Sequence, residues 1–232
     1  MQQLALDLGL APPPSFDNFL SDGPSDVVAH LRLWVSSPHR SPVPTFLWGA
    51  PGVGKSHLLS AVRLQLEAQG AQVGRLDASA SAVGPFHEDW AIVIMDDCHL
   101  YTPDQQAVAF NWFVNAQNPA SGSARWVLAA ADRPPTDLPL RDDLRTRLGW
   151  GHVFHLPTLL EHDRRRVLRR AADDRGVFLS DDVLDFILHR FSRDLGSLMQ
   201  LLDQLDRFAL RTQRPLTIPL IRSMLDDTTA VG

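Results

Sequence analysis

The stretch TFLWGAPGVGKS, residues 45–56, decides the fold of this chain. Residues 45–48 are typical of a buried strand, and the run from Lys55 onward is typical of a helix. Between them the spacing G-x-x-x-x-G-K-S is present at every fixed position. Glycines allow backbone N–H groups to approach phosphate oxygens, and the N-terminus of the next helix attracts the same anion. The stretch therefore predicts a nucleotide-binding loop between a strand and a helix.

Composition and charge exclude several other classes of protein. The 232 residues carry a net charge of −5, which disfavours direct DNA binding as the main function. The single cysteine, Cys98, excludes a disulfide framework and fits a reducing cytoplasm. There is no apolar run of about 18 residues and no signal-peptide pattern, so we expect a cytoplasmic protein without a membrane span.

Strands and helices alternate over the first two thirds of the chain, which predicts a parallel α/β sheet. Helices are expected at about 24–36, from Lys55 to Gly70 and at about 103–117. Further strands are expected in AQVGRLDA (71–78), WAIVIMDDCHL (90–100), ARWVLAAADRPP (124–135) and HVFHL (152–156). Four helices without strands follow, at 160–174, 180–191, 193–212 and 219–227. The expected organisation is a flexible tail (1–14), an α/β P-loop domain (15–157) and a small all-helical lid (158–232).

The P-loop and the third strand supply the expected nucleotide and metal ligands. Lys55 is placed to reach the β- and γ-phosphates of ATP or ADP, and Ser56 to ligate Mg²⁺. Asp96, at the end of the third strand, would hold Mg²⁺ through water, and Asp97 would orient an attacking water. Alternatively, this carboxylate pair only caps the next helix. The predicted nucleotide-binding residues of the loop are Gly49, Pro51, Gly52, Val53, Gly54, Lys55, Ser56 and His57.

Two later segments resemble the DnaA branch of AAA+ ATPases. The sequence Asp132-Arg133-Pro134-Pro135 resembles the sensor-1 segment, which implies that Asp132 senses the γ-phosphate or positions water. The segment 143–151 resembles the one that carries an arginine finger, and Arg147 matches that arginine. Such an arginine acts on the nucleotide of a neighbouring subunit. The alternatives are a strand-ending turn at Asp132, a surface ion pair between Arg147 and Asp142 or Asp143, and Arg145 as the finger.

Within that branch, the chain resembles the Hda family of DnaA regulators. The segments PSFDNF (14–19) and SLMQLLDQLDRFAL (197–210) look like Hda segments, and we expect no C-terminal helix-turn-helix domain after the lid. The resemblance implies that Phe16 and Phe19 flank the adenine, although both fit equally well as core aromatics. It also implies DnaA as a partner, with a homo-oligomer as a further possibility.

The N-terminal tail resembles the peptide with which Hda proteins bind the DNA polymerase III sliding clamp. Its Q-L-x-L-x-L pattern places Gln3, Leu4, Leu6 and Leu8 at the clamp-binding positions. The prolines 12–14 form a stiff spacer that would keep this peptide away from the body of the protein. The alternative is an ordinary strand that packs on its own domain.

The helical region departs from the family pattern at one position. Gly196 occupies the place where DnaA-like proteins carry the sensor-2 arginine, and Arg193 could substitute only if the helix rotated or slid. We therefore expect weak intrinsic hydrolysis and a preference for bound diphosphate. The arginines 164–166, 169 and 170 predict either a solvated face rich in ion pairs or a contact to DNA on the clamp or to the initiator. The nine histidines form no transition-metal pattern.

Three functions remain open from the sequence. The first is a regulatory inactivator that binds the clamp and stimulates hydrolysis of DnaA-bound ATP, so that re-initiation of replication is prevented. The second is an autonomous ATPase of the helicase-loader type, related to DnaC or IstB. The third is a clamp adaptor in which nucleotide only stabilises the fold.

Overall fold

The computed structural model describes residues 13–19, 25–37, 41–80, 83–158, 160–191 and 195–229. The chain divides into a larger α/β unit, Pro14–Thr158, and a smaller unit that contains Leu159–Gly232. The first is built around a sheet, and the second, over its described residues, is helical.

The sheet of the α/β unit has five parallel strands in the order β2-β3-β4-β1-β5. The strands are β1 (Thr45–Trp48), β2 (Gln72–Asp77), β3 (Trp90–Asp96), β4 (Trp126–Ala131) and β5 (His152–His155). All six residues of β4 and the last five of β3 are buried, as expected for central strands with helices on both faces. The predicted parallel α/β sheet is confirmed.

Helices cover the two faces of this sheet. They are α1 (Asp26–Ser36), α2 (Lys55–Ala68), α3 (Pro103–Gln117) and α4 (Asp142–Leu148), with 3₁₀ turns at Cys98–Leu100 and Pro135–Asp137. Alternate residues of β4 belong to two different cores. Trp126 packs with α1 and α2, whereas Val127 packs with α3 and α4. This alternation gives the sheet its two buried faces.

The short helix α4 was not among the predicted elements. Asp142 and Asp143 lie in its first turn, where their charges favour the positive end of the helix dipole. Leu144 and Leu148, one turn apart, are buried in the same core as Phe113 of α3. Tertiary packing of these two leucines stabilises a helix of only seven residues.

The helical unit contains α5 (Glu161–Asp173), α6 (Asp181–Arg190), α7 (Leu195–Thr212) and α8 (Ile218–Thr229). These correspond to the four predicted helices, with ends that differ by at most two residues. Its core holds fully buried leucines from all four helices: Leu168, Leu184, Leu202, Leu205 and Leu220. In the part of the chain that is described, no helix is long and apolar enough to cross a membrane.

The arginine-rich face of α5 is neutralised mainly by α6. Arg165 forms ion pairs with Asp181 and Asp185, and Arg169 forms one with Asp181. Arg166 bonds the buried carboxylate of Asp163 at 2.8 Å. This arrangement favours the interpretation of a solvated face rich in ion pairs, although most of the acidic partners come from the next helix rather than from α5 itself.

Candidate nucleotide-binding site

The glycine loop between β1 and α2 adopts backbone angles that require glycine. Gly52 and Gly54 have φ values of +77° and +98°, in the left-handed region. A Cβ atom on Gly49 would lie 2.3 Å from the carbonyl oxygen of Leu156, and one on Gly54 would lie 2.6 Å from Cε2 of Phe19. The loop therefore has room only for backbone at these positions, which is what close approach to a phosphate requires.

Lys55 is the first residue of α2, and its side chain is buried beside the loop. Its ammonium group donates hydrogen bonds to the carbonyl oxygens of Gly49 at 2.7 Å and Ala50 at 3.0 Å. The first N–H groups of α2 have no partner within the helix, and they carry the positive end of its dipole. Ammonium, amides and glycine backbone together fit a nucleotide phosphate.

Ser56 and Asp96 meet beside the loop as predicted from the sequence. The Ser56 hydroxyl bonds the carboxylate of Asp96, which also accepts the N–H of Asp97 at 3.0 Å. Burial is the largest cause that raises the pKa of Asp96, and the neighbouring charge of Asp97 raises it further. A buried carboxylate and a hydroxyl are oxygen ligands of the kind that Mg²⁺ prefers. This pair fits the predicted magnesium site.

Asp97 lies just beyond β3 in the left-handed region, with a φ of +48°. It starts the 3₁₀ turn Cys98–Leu100 without a side-chain cap hydrogen bond. Helix α3 is capped instead by Thr102, whose hydroxyl accepts the N–H of Gln105 at 3.3 Å. The alternative interpretation, in which the carboxylate pair caps the next helix, is therefore wrong for α3.

Asp132 follows β4, beside the end of β3 in the sheet. Arg133 donates to both of its carboxylate oxygens at 2.8 Å, and Nδ1 of His99 lies 3.9 Å from Oδ1. The hydrogen bond from Arg133 is the largest cause that lowers the pKa of Asp132, and the charges of His99 and Lys55 also lower it. In the sheet, β4 lies between β3 and β1. This strand order brings Asp96, Asp132 and the loop together at the carboxyl ends of the strands.

The sequence did not single out His99. It lies three residues after Asp96, and its Nδ1 atom is buried without a hydrogen-bond partner among the described residues. The one sequence signal for a role of His99 at the site is its short distance along the chain from Asp96 and Asp97.

Arg147 lies in the last turn of α4. Its guanidinium lies over the ring of Phe110 at 4.6 Å and over that of Trp150 at 5.3 Å, and it donates to the carbonyl oxygen of Asp143 at 3.0 Å. Within the described ranges no carboxylate forms an ion pair with it. The alternative of a surface ion pair is met by Arg147 only as a charge effect: after the hydrogen bonds from Arg141 and the Leu144 N–H, the charge of Arg147 still contributes to the lowered pKa of Asp143. The ion-pair alternative holds for the rival Arg145, which bonds Asp142 at 2.7 Å.

The two phenylalanines of the PSFDNF segment have different environments. Phe16 is buried in the core with the guanidinium of Arg32 5.4 Å from its ring centre. Phe19 lies against Gly54, and its ring centre is 5.9 Å from that of His57. His57 donates to the carbonyl oxygen of Ser15 at 2.9 Å. The segment thus packs on the start of α2, with Phe19 against Gly54 of the loop and Phe16 in the same core as Val53.

The remaining predicted residues fall into two groups. Gln3, Leu4, Leu6, Leu8 and Arg193 lie outside the described residues. Gly196 is the second residue of α7 and is exposed.

Comparison with known proteins identifies the helical unit. Residues 161–225 match the family model "Hda, lid domain". The fold is similar to that of domain III of the replication initiation protein DnaA from Thermotoga maritima. That match has a TM-score of 0.74 and 19% identity, and it covers 93% of this chain and 97% of the other. The helical unit thus matches the lid domain of the Hda family, and the fold of the chain is similar to that of DnaA domain III.

Two further structures confirm the predicted fold. AMPPCP-bound DnaA from Aquifex aeolicus matches with a TM-score of 0.66 and 17% identity, over 86% of this chain and 73% of the other. The Thermotoga maritima RuvB Holliday junction branch migration motor matches with a TM-score of 0.66 and 14% identity, over 92% and 72%. The fold similarity to these proteins therefore extends over most of the chain.

Proposed function

We propose that this DnaA-related AAA+ protein is a regulatory inactivator of the replication initiator DnaA. In this proposal it binds ADP or ATP with Mg²⁺, docks on the sliding clamp and stimulates hydrolysis of DnaA-bound ATP. Re-initiation is thereby prevented. The observation that carries the proposal is the Hda lid at 161–225.

The chain's own nucleotide has a structural role in this proposal. Lys55 and the N–H groups at the start of α2 hold the phosphates, and Ser56 and Asp96 hold the magnesium ion. Gly196 provides no side chain at the position where a sensor-2 arginine is expected, and Asp97 is one methylene shorter than a glutamate. We therefore expect slow intrinsic turnover and a bound diphosphate, which would be recovered when the purified protein is denatured.

The activating residue in this proposal is Arg147, acting in the nucleotide site of DnaA. Water attacks the γ-phosphorus, the bond from that phosphorus to the β–γ bridging oxygen breaks, and ADP and inorganic phosphate leave. The guanidinium neutralises charge on the γ-phosphoryl oxygens, an effect of roughly 10³- to 10⁵-fold in other enzymes. Support comes from the absence of an ion pair between Arg147 and any carboxylate in the described part of the chain, which leaves N–H donors of the guanidinium for a phosphate.

The N-terminal peptide provides the tether. The amide of Gln3 would bond polar groups at the rim of a clamp pocket, and Leu4, Leu6 and Leu8 would provide the apolar contact. Binding to a clamp on DNA raises the effective concentration of Arg147 near DnaA. The protein is then associated with DNA only through the clamp.

The test reconstitutes DnaA loaded with labelled ATP, a clamp loaded on DNA and this protein. We expect hydrolysis to require the clamp and to be lost in Gln3→Ala, while the adjacent Gln2→Ala variant retains it. Equal stimulation without the clamp, or by Gln3→Ala, would contradict the tethering proposal. Rapid ATP turnover by the protein alone, stimulated by single-stranded DNA, would indicate a helicase-loader function instead.

A further inference from the structure

We propose that Trp150 and Phe110 are positioning residues that hold Arg147 in the orientation needed to reach a partner's triphosphate. The inference rests on the proposed function of Arg147. It adds two residues that neither the sequence motifs nor the family match assigns.

The geometry is that of a cation between two aromatic rings. The Arg147 guanidinium carbon is 4.6 Å from the Phe110 ring centre and 5.3 Å from that of Trp150. Both distances lie within the roughly 6 Å over which a cation is attracted to a ring face. The bond from Arg147 to the carbonyl oxygen of Asp143 adds a third restraint. Three contacts therefore restrain the side chain.

The neighbouring arginines show what this arrangement avoids. Arg141 also lies over the Phe110 ring, at 5.2 Å, but it donates to both carboxylate oxygens of Asp143 at 2.7 Å. Arg145 bonds Asp142 at 2.7 Å. A carboxylate partner occupies N–H donors and cancels the charge that a phosphate would need. An aromatic ring restrains the guanidinium without doing either. Of the three arginines, Arg147 is the one whose N–H donors are in no ion pair with a carboxylate among the described residues.

Trp150 is more exposed than its size would predict. It retains 63% of its accessible surface, yet its ring meets the buried ring of Phe113 edge-on, with centres 6.4 Å apart. The indole of Trp150 thus contacts Phe113 of the core and the guanidinium of Arg147. A tryptophan so exposed contributes little to the core, so its position is better explained by the contact with Arg147.

The kinetic test compares Trp150→Leu with Trp150→Phe, which keeps a ring at that position. Maximal stimulation of DnaA-bound ATP hydrolysis should fall about 2- to 5-fold in the leucine variant and recover in the phenylalanine variant. The protein concentration that gives half-maximal stimulation should stay unchanged. A wild-type maximal rate in Trp150→Leu, or an equal loss in Trp150→Phe, would overturn the inference.

A second measurement is independent of the partner. The NMR signal of the Arg147 side-chain N–H, assigned with Arg147→Ala, should move toward its random-coil position in Trp150→Leu and in Phe110→Leu. No movement in either variant would overturn the inference even if both fold normally. If the wild-type protein gives no stimulation, the proposed function fails, and this spectrum still decides whether the rings restrain Arg147.

Discussion

Replacing Gly54 by alanine should damage the nucleotide loop in two separable ways. Gly54 has a φ of +98°, and an added Cβ would lie 2.6 Å from Cε2 of Phe19. An alanine in the left-handed region costs about 1–2 kcal/mol of folding free energy. Forcing a methyl group against a packed ring costs about a further 1–3 kcal/mol. We expect Gly54→Ala to lower the free energy of unfolding by about 2–5 kcal/mol in total.

Gly70, at the other end of α2, is the matched control. Its φ of +80° is similarly left-handed, but no heavy atom lies within 4 Å of the position of an added Cβ. Gly70→Ala should therefore lower the free energy of unfolding only by the cost of a left-handed alanine, about 1–2 kcal/mol. The difference between the two variants measures the contact with Phe19. Urea denaturation, followed by far-UV circular dichroism, gives both free energies.

Two readouts decide the outcome. Phe19→Ala should cost about 1–3 kcal/mol less in the Gly54→Ala background than alone, because the clash is then absent. ADP affinity should fall at least about tenfold in Gly54→Ala, since a misdirected hydrogen bond to a charged phosphate costs about 1.5–3 kcal/mol. It should be unchanged in Gly70→Ala. Equal destabilisation by both glycine variants, with normal ADP binding, would refute the reasoning.

Two further predictions concern stability. Burial, and then the charge of His152, lower the pKa of His30 from 6.5, so stability should fall as the pH drops below about 6.5 through the lowered pKa. In urea unfolding at several pH values, His30→Gln should reduce the dependence of the unfolding free energy on pH. An unchanged pH dependence would contradict the assignment of this effect to His30. In the lid, Asp163→Asn should cost about 1–3 kcal/mol in thermal unfolding, because a buried carboxylate that accepts from Arg166 is lost. The exposed Asp173→Asn on the same helix should stay within about 0.5 kcal/mol, and similar losses for both would count against the buried pair.

The features that the sequence predicted correctly are those set by local spacing. The glycine loop, the strand before it and the helix after it occupy adjacent positions, so short-range geometry decides them. The position of Asp96 at the end of β3 follows from the apolar run before it, since parallel strands bring their carboxyl ends to one edge.

The features that were missed depend on contacts between distant residues. Helix α4 is stabilised by the burial of Leu144 and Leu148 in a core made by other elements. Phe110 is 37 residues from Arg147 in the sequence, and no spacing rule relates them. The partner of Arg165 lies on the next helix, although nearer acidic residues were available. Each of these features depends on tertiary packing, which cannot be predicted from the local pattern of a single sequence.

The most direct test of the central claim is single-turnover hydrolysis of DnaA-bound ATP in the presence of a clamp loaded on DNA. Wild-type protein should stimulate it, Arg147→Ala should abolish the stimulation while binding the clamp normally, and Arg145→Ala should remain close to wild type. Full stimulation by Arg147→Ala, or loss confined to Arg145→Ala, would contradict the account.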